Sequence, residues 1–139
     1  MDDIFAIQMV KAAYFRAMDT KDWELLTSVM VEDVEIDVTD DVEGGRPYVG
    51  RTRFVDTCAR VLRDAVTVHH GHMPEIQVTG DTATGTWAME DYVDWGPPED
   101  GGARSFRGYG HYHERYVKEA DGTWRIAALK LTRLRRDWL

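Results

Sequence analysis

The groups able to do acid–base chemistry are unevenly spread along this 139-residue chain. Five histidines, His69, His70, His72, His111 and His113, all fall in stretches whose apolar and polar residues alternate. A histidine titrates near neutrality and so serves as a proton acceptor, and a carboxylate on its other ring nitrogen fixes the tautomer. His70/His72 and His111/His113 are spaced i,i+2, which puts each pair on one face of a strand. Together with Glu90 or Asp91 they would offer a His-rich metal site. The plainer expectation, and the one adopted, is that they sit on the solvated face or satisfy carbonyls, with no metal. Asp91 stands apart. In the stretch 82–95, Ala83, Gly85, Trp87, Met89, Asp91 and Val93 share one face, and that face is otherwise apolar. A carboxylate there must take a proton or find a partner, since an isolated buried charge is costly. An arginine across the sheet is one such partner.

Three further residues complete the set. Tyr14 lies on the apolar stripe of the first helical segment; alone, it reads as a core tyrosine with a hydrogen-bonded tip. Asp19 closes that segment and alone reads as a helix cap. Arg133 shares a face with Leu129 and Leu131, whereas the following Arg135 and Arg136 read as an ordinary basic tail.

The elements that must position these groups follow from periodicity. Ile7, Val10, Tyr14 and Met18 recur at helical spacing with Lys11 and Arg16 off the stripe, and Asp2 or Asp3 suits the N-cap. A break at Asp19-Thr20 leads to a second helix with Trp23, Leu26 and Met30, capped by Thr20. Val34, Ile36 and Val38 then alternate as a strand. The segment DDVEGGRPYVG (40–50) reads as a loop. Phe54, Cys58, Val61 and Leu62 mark a third helix, with Arg53, Asp56, Arg60 and Arg63 on its wet face. The rest is strand: 66–78, bent or bulged at Pro74, then 82–95, 106–118 and 124–134. Turns separate them at Gly80-Asp81, 96–103 and Asp121-Gly122. Three helices, one early strand and a four-stranded antiparallel run predict an α+β fold with the helices on one sheet face. A sheet curved by bulges would form a cone whose mouth the helices close, a concave place that suits a pocket.

Composition bounds the function. The length predicts a single domain over 1–139, and 43% apolar with 30% charged residues is ordinary for a globular chain. A formal charge of -8 argues against nucleic-acid binding, which uses surplus Lys and Arg. One cysteine, Cys58, rules out an internal disulfide framework and a multi-Cys zinc site. No apolar run approaches the roughly 20 residues a membrane span needs, and MDDIFAIQMVKAAYF does not read as a targeting peptide. The expectation is a cytoplasmic protein.

The segments AYFRAMD (13–19), TVHHGHMPEI (67–76), TATGTWAMED (82–91) and DGTWRIAALKLTR (121–133) resemble the SnoaL-like branch of the nuclear-transport-factor-2-like superfamily, most closely the bile acid 7α-dehydratase group. HxGHxPEI and TATGxWxxED are the specific stretches. The resemblance implies a cone-shaped α+β barrel, with three N-terminal helices on a strongly curved, mostly antiparallel mixed sheet, and no cofactor. It implies a site of Tyr14, Asp19, His69, Asp91 and Arg133, His69 being chosen because it lies five before Pro74. It also implies a homo-oligomer, trimer or dimer, built through the outer sheet face. The chain ends six residues after Arg133, where bile acid enzymes carry a longer covering tail, so the 96–104 turn or a neighbouring subunit is the expected lid.

On these residues the expected chemistry is a cofactor-free elimination, a dehydratase-type lyase reaction next to a carbonyl. Asp19 orients His69, His69 takes the carbon-bound proton, Tyr14 polarises the carbonyl and Asp91 assists the leaving hydroxyl. Arg133 holds Asp91 or an anionic part of the substrate; if it ionises Asp91, the acid role passes to an orienting one. Trp23, Trp87, Met89, Tyr109 and Tyr112 are expected as walls for a flat, apolar steroid- or polyketide-like molecule. An isomerase or cyclase on the same pocket, and a non-catalytic small-molecule binding domain, are the alternatives.

Overall fold

The computed structural model describes residues 1–100, 102 and 104–139. Its elements are α1 (Asp3–Thr20), α2 (Trp23–Ser28), β1 (Met30–Asp37), a short 3-10 helix (Thr39–Asp41), β2 (Tyr48–Val49), α3 (Arg51–Val61), β3 (Val66–Thr79), β4 (Thr82–Asp94), β5 (Ser105–Lys118) and β6 (Trp124–Trp138). The six strands form one sheet in the order β2-β1-β6-β5-β4-β3. β1 runs parallel to β6 and every other pairing is antiparallel. Three helices pack on this mixed sheet, the α+β arrangement expected. No helix among the described residues is long and apolar enough to cross a membrane. The turn expected over 96–103 contains Gly101 and Ala103, and a lid at 96–104 includes both; these two lie outside the described residues.

Helix α1 begins at Asp2, whose carboxylate accepts from the Phe5 N–H at 2.7 Å, and ends at Lys21 in the left-handed conformation (φ 59°). The N–H groups of Lys21 and Asp22 return to the carbonyls of Met18 and Ala17, which closes the last turn. The expected capping role of Thr20 is corrected: Thr20 is the last residue of α1, and Asp22 caps α2 by accepting from the Leu25 N–H at 3.1 Å. The stripe of α1 also differs from expectation. Ile7, Lys11, Tyr14 and Met18 are its buried face, Val10 only half-buried, so Lys11 points inward rather than to solvent. The spacing 7, 11, 14, 18 is itself helical, and residue type alone had excluded the lysine.

Bulges curve the sheet. β3 shifts register between His72 and Glu75, at Pro74, with Met73 at φ 36°. β6 shifts twice, making Ala127 and Leu134 its extra residues. At the second shift Gly110 faces Arg133 while Tyr109 faces Arg135, and Leu134 is thrown outward, 76% exposed. Gly110 is required there: a Cβ on it would stand 1.9 Å from the Thr132 carbonyl oxygen. The extra residue changes which side chains face in. Arg133 is inward on the odd-numbered side of the strand, and beyond Leu134 the inward residues are even-numbered. Arg136 and Trp138 therefore face the concave side, and the strand extends to Trp138, so the expected basic tail is instead part of the sheet.

Candidate active site

Between the concave sheet face and the helices lies a cavity of about 400 Å³. Its walls are apolar over most of their area, with Met18, Phe54, Cys58, Val93, Phe106 and Leu131 among them. Into it project Tyr14 from α1, His69 from β3, Asp91 from β4, Tyr112 from β5 and Arg133 from β6, so one residue from each of five elements meets in one place.

Asp19 stands behind His69 rather than in the cavity wall. Its carboxylate accepts three hydrogen bonds: from Thr67 Oγ1 at 2.9 Å, from the His69 backbone N–H at 2.9 Å, and from His69 Nδ1 at 2.6 Å. The last turn of α1 carries the negative end of the helix dipole, which disfavours a carboxylate there, so these donors are what hold it. With Nδ1 engaged as the donor, Nε2 is the nitrogen left to face the cavity as an acceptor. The imidazole is mostly buried and stacks at 17° on the Phe15 ring, which fixes its plane.

Asp91 and Arg133 face each other. Arg133 Nη1 and Nη2 donate to the two oxygens of Asp91 at 2.7 and 2.9 Å. Its Nε and Nη2 also donate to the oxygens of Asp41 at 2.7 and 3.0 Å, a second bidentate contact. Burial alone would lower the guanidinium pKa, but the hydrogen bonds and charges of Asp91 and Asp41 outweigh it, and the net shift is upward. An arginine gripped this way remains charged. Both Asp91 oxygens accept from Arg133 in this geometry, the arrangement under which the expected leaving-group role passes to an orienting one. Gly108 makes the contact possible, because a Cβ there would lie 2.1 Å from Arg133 Nη1 and 2.4 Å from Asp91 Oδ1.

Tyr14 and Tyr112 are buried neighbours with ring centroids 6.4 Å apart, packed edge to face. Burial, then the neighbouring Tyr112, Cys58, Glu114 and Asp19, push the Tyr14 phenol well above the ordinary tyrosine range; for Tyr112 burial leads, followed by Asp91. Both are therefore neutral O–H donors at physiological pH.

The expected walls divide. Tyr112 lines the cavity, whereas Trp23, Trp87 and Met89 do not. Trp23 is half-buried against the main core, and the Trp87 indole donates to the Tyr116 hydroxyl at 2.9 Å. Met89 is buried beside Arg133. Tyr109 pairs with Glu90 on the outer face, as its register opposite to Tyr112 requires. His70, His72, His111 and His113 lie on that outer face as well, where His70 approaches Glu90 at 3.5 Å. Among the described residues no three His, Cys, Asp or Glu side chains converge as metal ligands. Asp41, Arg136 and Trp138 belong to the cavity and were not singled out by sequence. Asp41 sits in a segment that reads as loop, and no periodic signal marks it. The paired acids Asp40-Asp41 beside an inward arginine were the available hint, since Arg133 also donates its backbone N–H to Asp40 at 2.8 Å.

Solved structures of the same architecture are numerous. A Kribbella flavida protein superposes with a TM-score of 0.88 at 21% identity, covering 97% of this chain and 93% of that one. A candidate scytalone dehydratase of Novosphingobium aromaticivorans gives 0.82 at 20% identity, covering 97% and 86%. A hexachlorocyclohexane dehydrochlorinase of Novosphingobium barchaimii gives 0.78 at 22% identity, covering 96% and 88%. At these identities the likeness establishes the fold. The sequence profile of the SnoaL-like domain matches residues 1–130, nearly the whole of the sheet and all three helices, and so this chain belongs to the SnoaL-like domain family.

Proposed function

We propose that the protein is a cofactor-free lyase that eliminates water from an apolar, carbonyl-bearing substrate by proton abstraction next to the carbonyl. The observation that carries this reading is the Asp19–His69 contact of 2.6 Å behind an apolar cavity. A carboxylate on Nδ1 keeps Nε2 free to take a proton and stabilises the imidazolium that forms. Tyr14 donates to the carbonyl oxygen as negative charge grows there. The C–H pair of electrons forms the new double bond, the hydroxyl leaves, and the imidazolium returns its proton to it as water. His69 then ends as it began. Asp91 and Arg133 form a rigid, charge-neutral pair that orients substrate through its edge. A volume of about 400 Å³ suits a flat steroid- or polyketide-sized molecule, the substrate type that the bile acid 7α-dehydratase likeness suggests. Relatives of the same fold that are named for dehydration and dehydrochlorination support an elimination.

A homo-oligomer, trimer or dimer, joined through the outer sheet face and working in the cytoplasm accompanies this reading. Exposed Val66 and Val68 on that face support it. The engagement of both Asp91 oxygens by Arg133 favours the second reading, a small-molecule binding domain, because a binder needs no leaving-group acid. A panel of β-hydroxy ketones and 3-oxo steroids, followed by the ultraviolet absorbance of the enone, separates the two. The lyase forms enone, and His69→Ala abolishes it. Product formation that survives His69→Ala removes the dyad from the reaction, and no product from any member favours the binder.

A further inference from the structure

Beneath the cavity floor lies a charged pair that the elimination scheme leaves unused. Lys11 and Glu114 have fully buried side chains, and Lys11 Nζ stands 2.5 Å from Glu114 Oε2. Glu114 also accepts from the Tyr116 hydroxyl, which in turn accepts from the Trp87 indole N–H. Two ions removed from water cost several kcal/mol each, and a well-packed apolar pair of the same volume is often the more stable choice. Packing alone does not account for such a pair.

Its surroundings suggest a use. Lys11 Nζ lies 3.7 Å from the centre of the Tyr112 ring, 4.1 Å from that of Tyr14 and 4.6 Å from that of Phe15. The ammonium thus faces the rings of two of the phenols that line the cavity, Tyr14 and Tyr112. Neither phenol hydroxyl has a hydrogen-bond partner among the described residues. Among the described residues no buried side-chain nitrogen or oxygen is left unpaired, so both hydroxyls meet the open volume. A cation over a phenol ring draws π density toward itself, which makes the O–H a stronger donor and favours negative charge near it.

We propose that Lys11 is a positioning residue that acts through Tyr14 and Tyr112, making them a two-phenol site for an oxyanion, the enolate oxygen of a carbonyl substrate. This rests on the lyase reading and deepens it, because it adds Tyr112 as a second donor and selects enolisable carbonyl compounds over substrates without an oxygen at the reacting centre. Glu114 holds the ammonium in place and moderates its charge.

The test uses binding, so turnover is not needed. The full-length protein is titrated with 4-nitrophenol, whose bound phenolate is read by visible absorbance, and with 4-methylphenol, which stays neutral, read by calorimetry. The wild type should favour the phenolate. Lys11→Met should weaken phenolate binding about tenfold and change 4-methylphenol binding less than twofold. Glu114→Gln keeps the shape and one acceptor oxygen and removes the opposing charge, so it should strengthen phenolate binding, the opposite of what damage to packing would do. Tyr112→Phe should weaken it. The proposal is overturned if the wild type shows no preference for the phenolate, if Lys11→Met weakens both probes alike, or if Glu114→Gln fails to strengthen phenolate binding. Should Lys11→Met not fold, Glu114→Gln and Tyr112→Phe decide it. A protein that shows this pattern yet converts no carbonyl substrate sinks the lyase reading alone, and one that eliminates water but ignores the probe's charge sinks the role of Lys11 alone.

Discussion

Gly108→Ala places one methyl group where the structure has least room for it. The new Cβ would stand 2.1 Å from Arg133 Nη1 and 2.4 Å from Asp91 Oδ1, both about an ångström inside van der Waals contact. Neither side chain can give way alone. Arg133 is tied to Asp41 through Nε and Nη2, so the methyl must part it from Asp91. The side chains are only 9% and 5% exposed, which leaves Asp91 as a buried carboxylate with its partner gone. Breaking one side of a buried pair costs about 3–5 kcal/mol, and the lower end applies because Arg133 keeps Asp41. The expected loss is therefore about 3 kcal/mol, measured at neutral pH by urea unfolding with the slope m unchanged. A double-mutant cycle with Asp91→Asn identifies the cause: Gly108→Ala should cost about 2 kcal/mol less in that background, where no charge is stranded. A loss under about 1 kcal/mol, or an equal loss in both backgrounds, would refute the reasoning, since Asp91 would then not depend on Arg133.

Asp19→Asn keeps one acceptor oxygen where the carboxylate offers one to Thr67 and the other to the His69 backbone, and it removes the charge that supports imidazolium. It should lower kcat by about 10²–10⁴-fold with little change in KM, checked by steady-state kinetics on whichever carbonyl substrate the panel identifies. Burial pushes the Cys58 thiol up to about 12 from 9.0, so between those values the unfolded chain loses this proton and the folded chain keeps it. Stability therefore falls as pH rises through that window, by roughly 1.4 kcal/mol per pH unit at most for this one group. Cys58→Ala should flatten the decline in urea-unfolding free energy between pH 9 and 11 relative to wild type. An unchanged slope would show that the thiol is not buried against the cavity.

Alternation along β4 and the resemblance of its segment were enough to place Asp91 inward among apolar groups, and its pairing with an arginine across the sheet was among the readings the residues allowed. The period of α1 likewise put Tyr14 on the core side, and the bend at Pro74 was legible because proline cannot donate to a ladder. Period-two and period-3.6 patterns are local properties, and a local property survives in a linear string. What escaped was decided by contacts between distant segments. Lys11 is buried because Glu114, 103 residues away, meets it, and no periodicity reports a partner at that distance. Trp23, Trp87 and Met89 are apolar and pack inside, but which part of the interior borders the cavity depends on how far along each element the sheet curls. Arg136 and Trp138 changed faces because Leu134 bulges outward, and that bulge exists only where Gly110 on the neighbouring strand leaves room for it. Asp41 joined the site because a loop with no pattern of its own was held against the end of β6 by Arg133. Chain chemistry thus determined which groups were available, and three-dimensional packing decided which of them share a cavity, because charges and bulges are settled between neighbours in space.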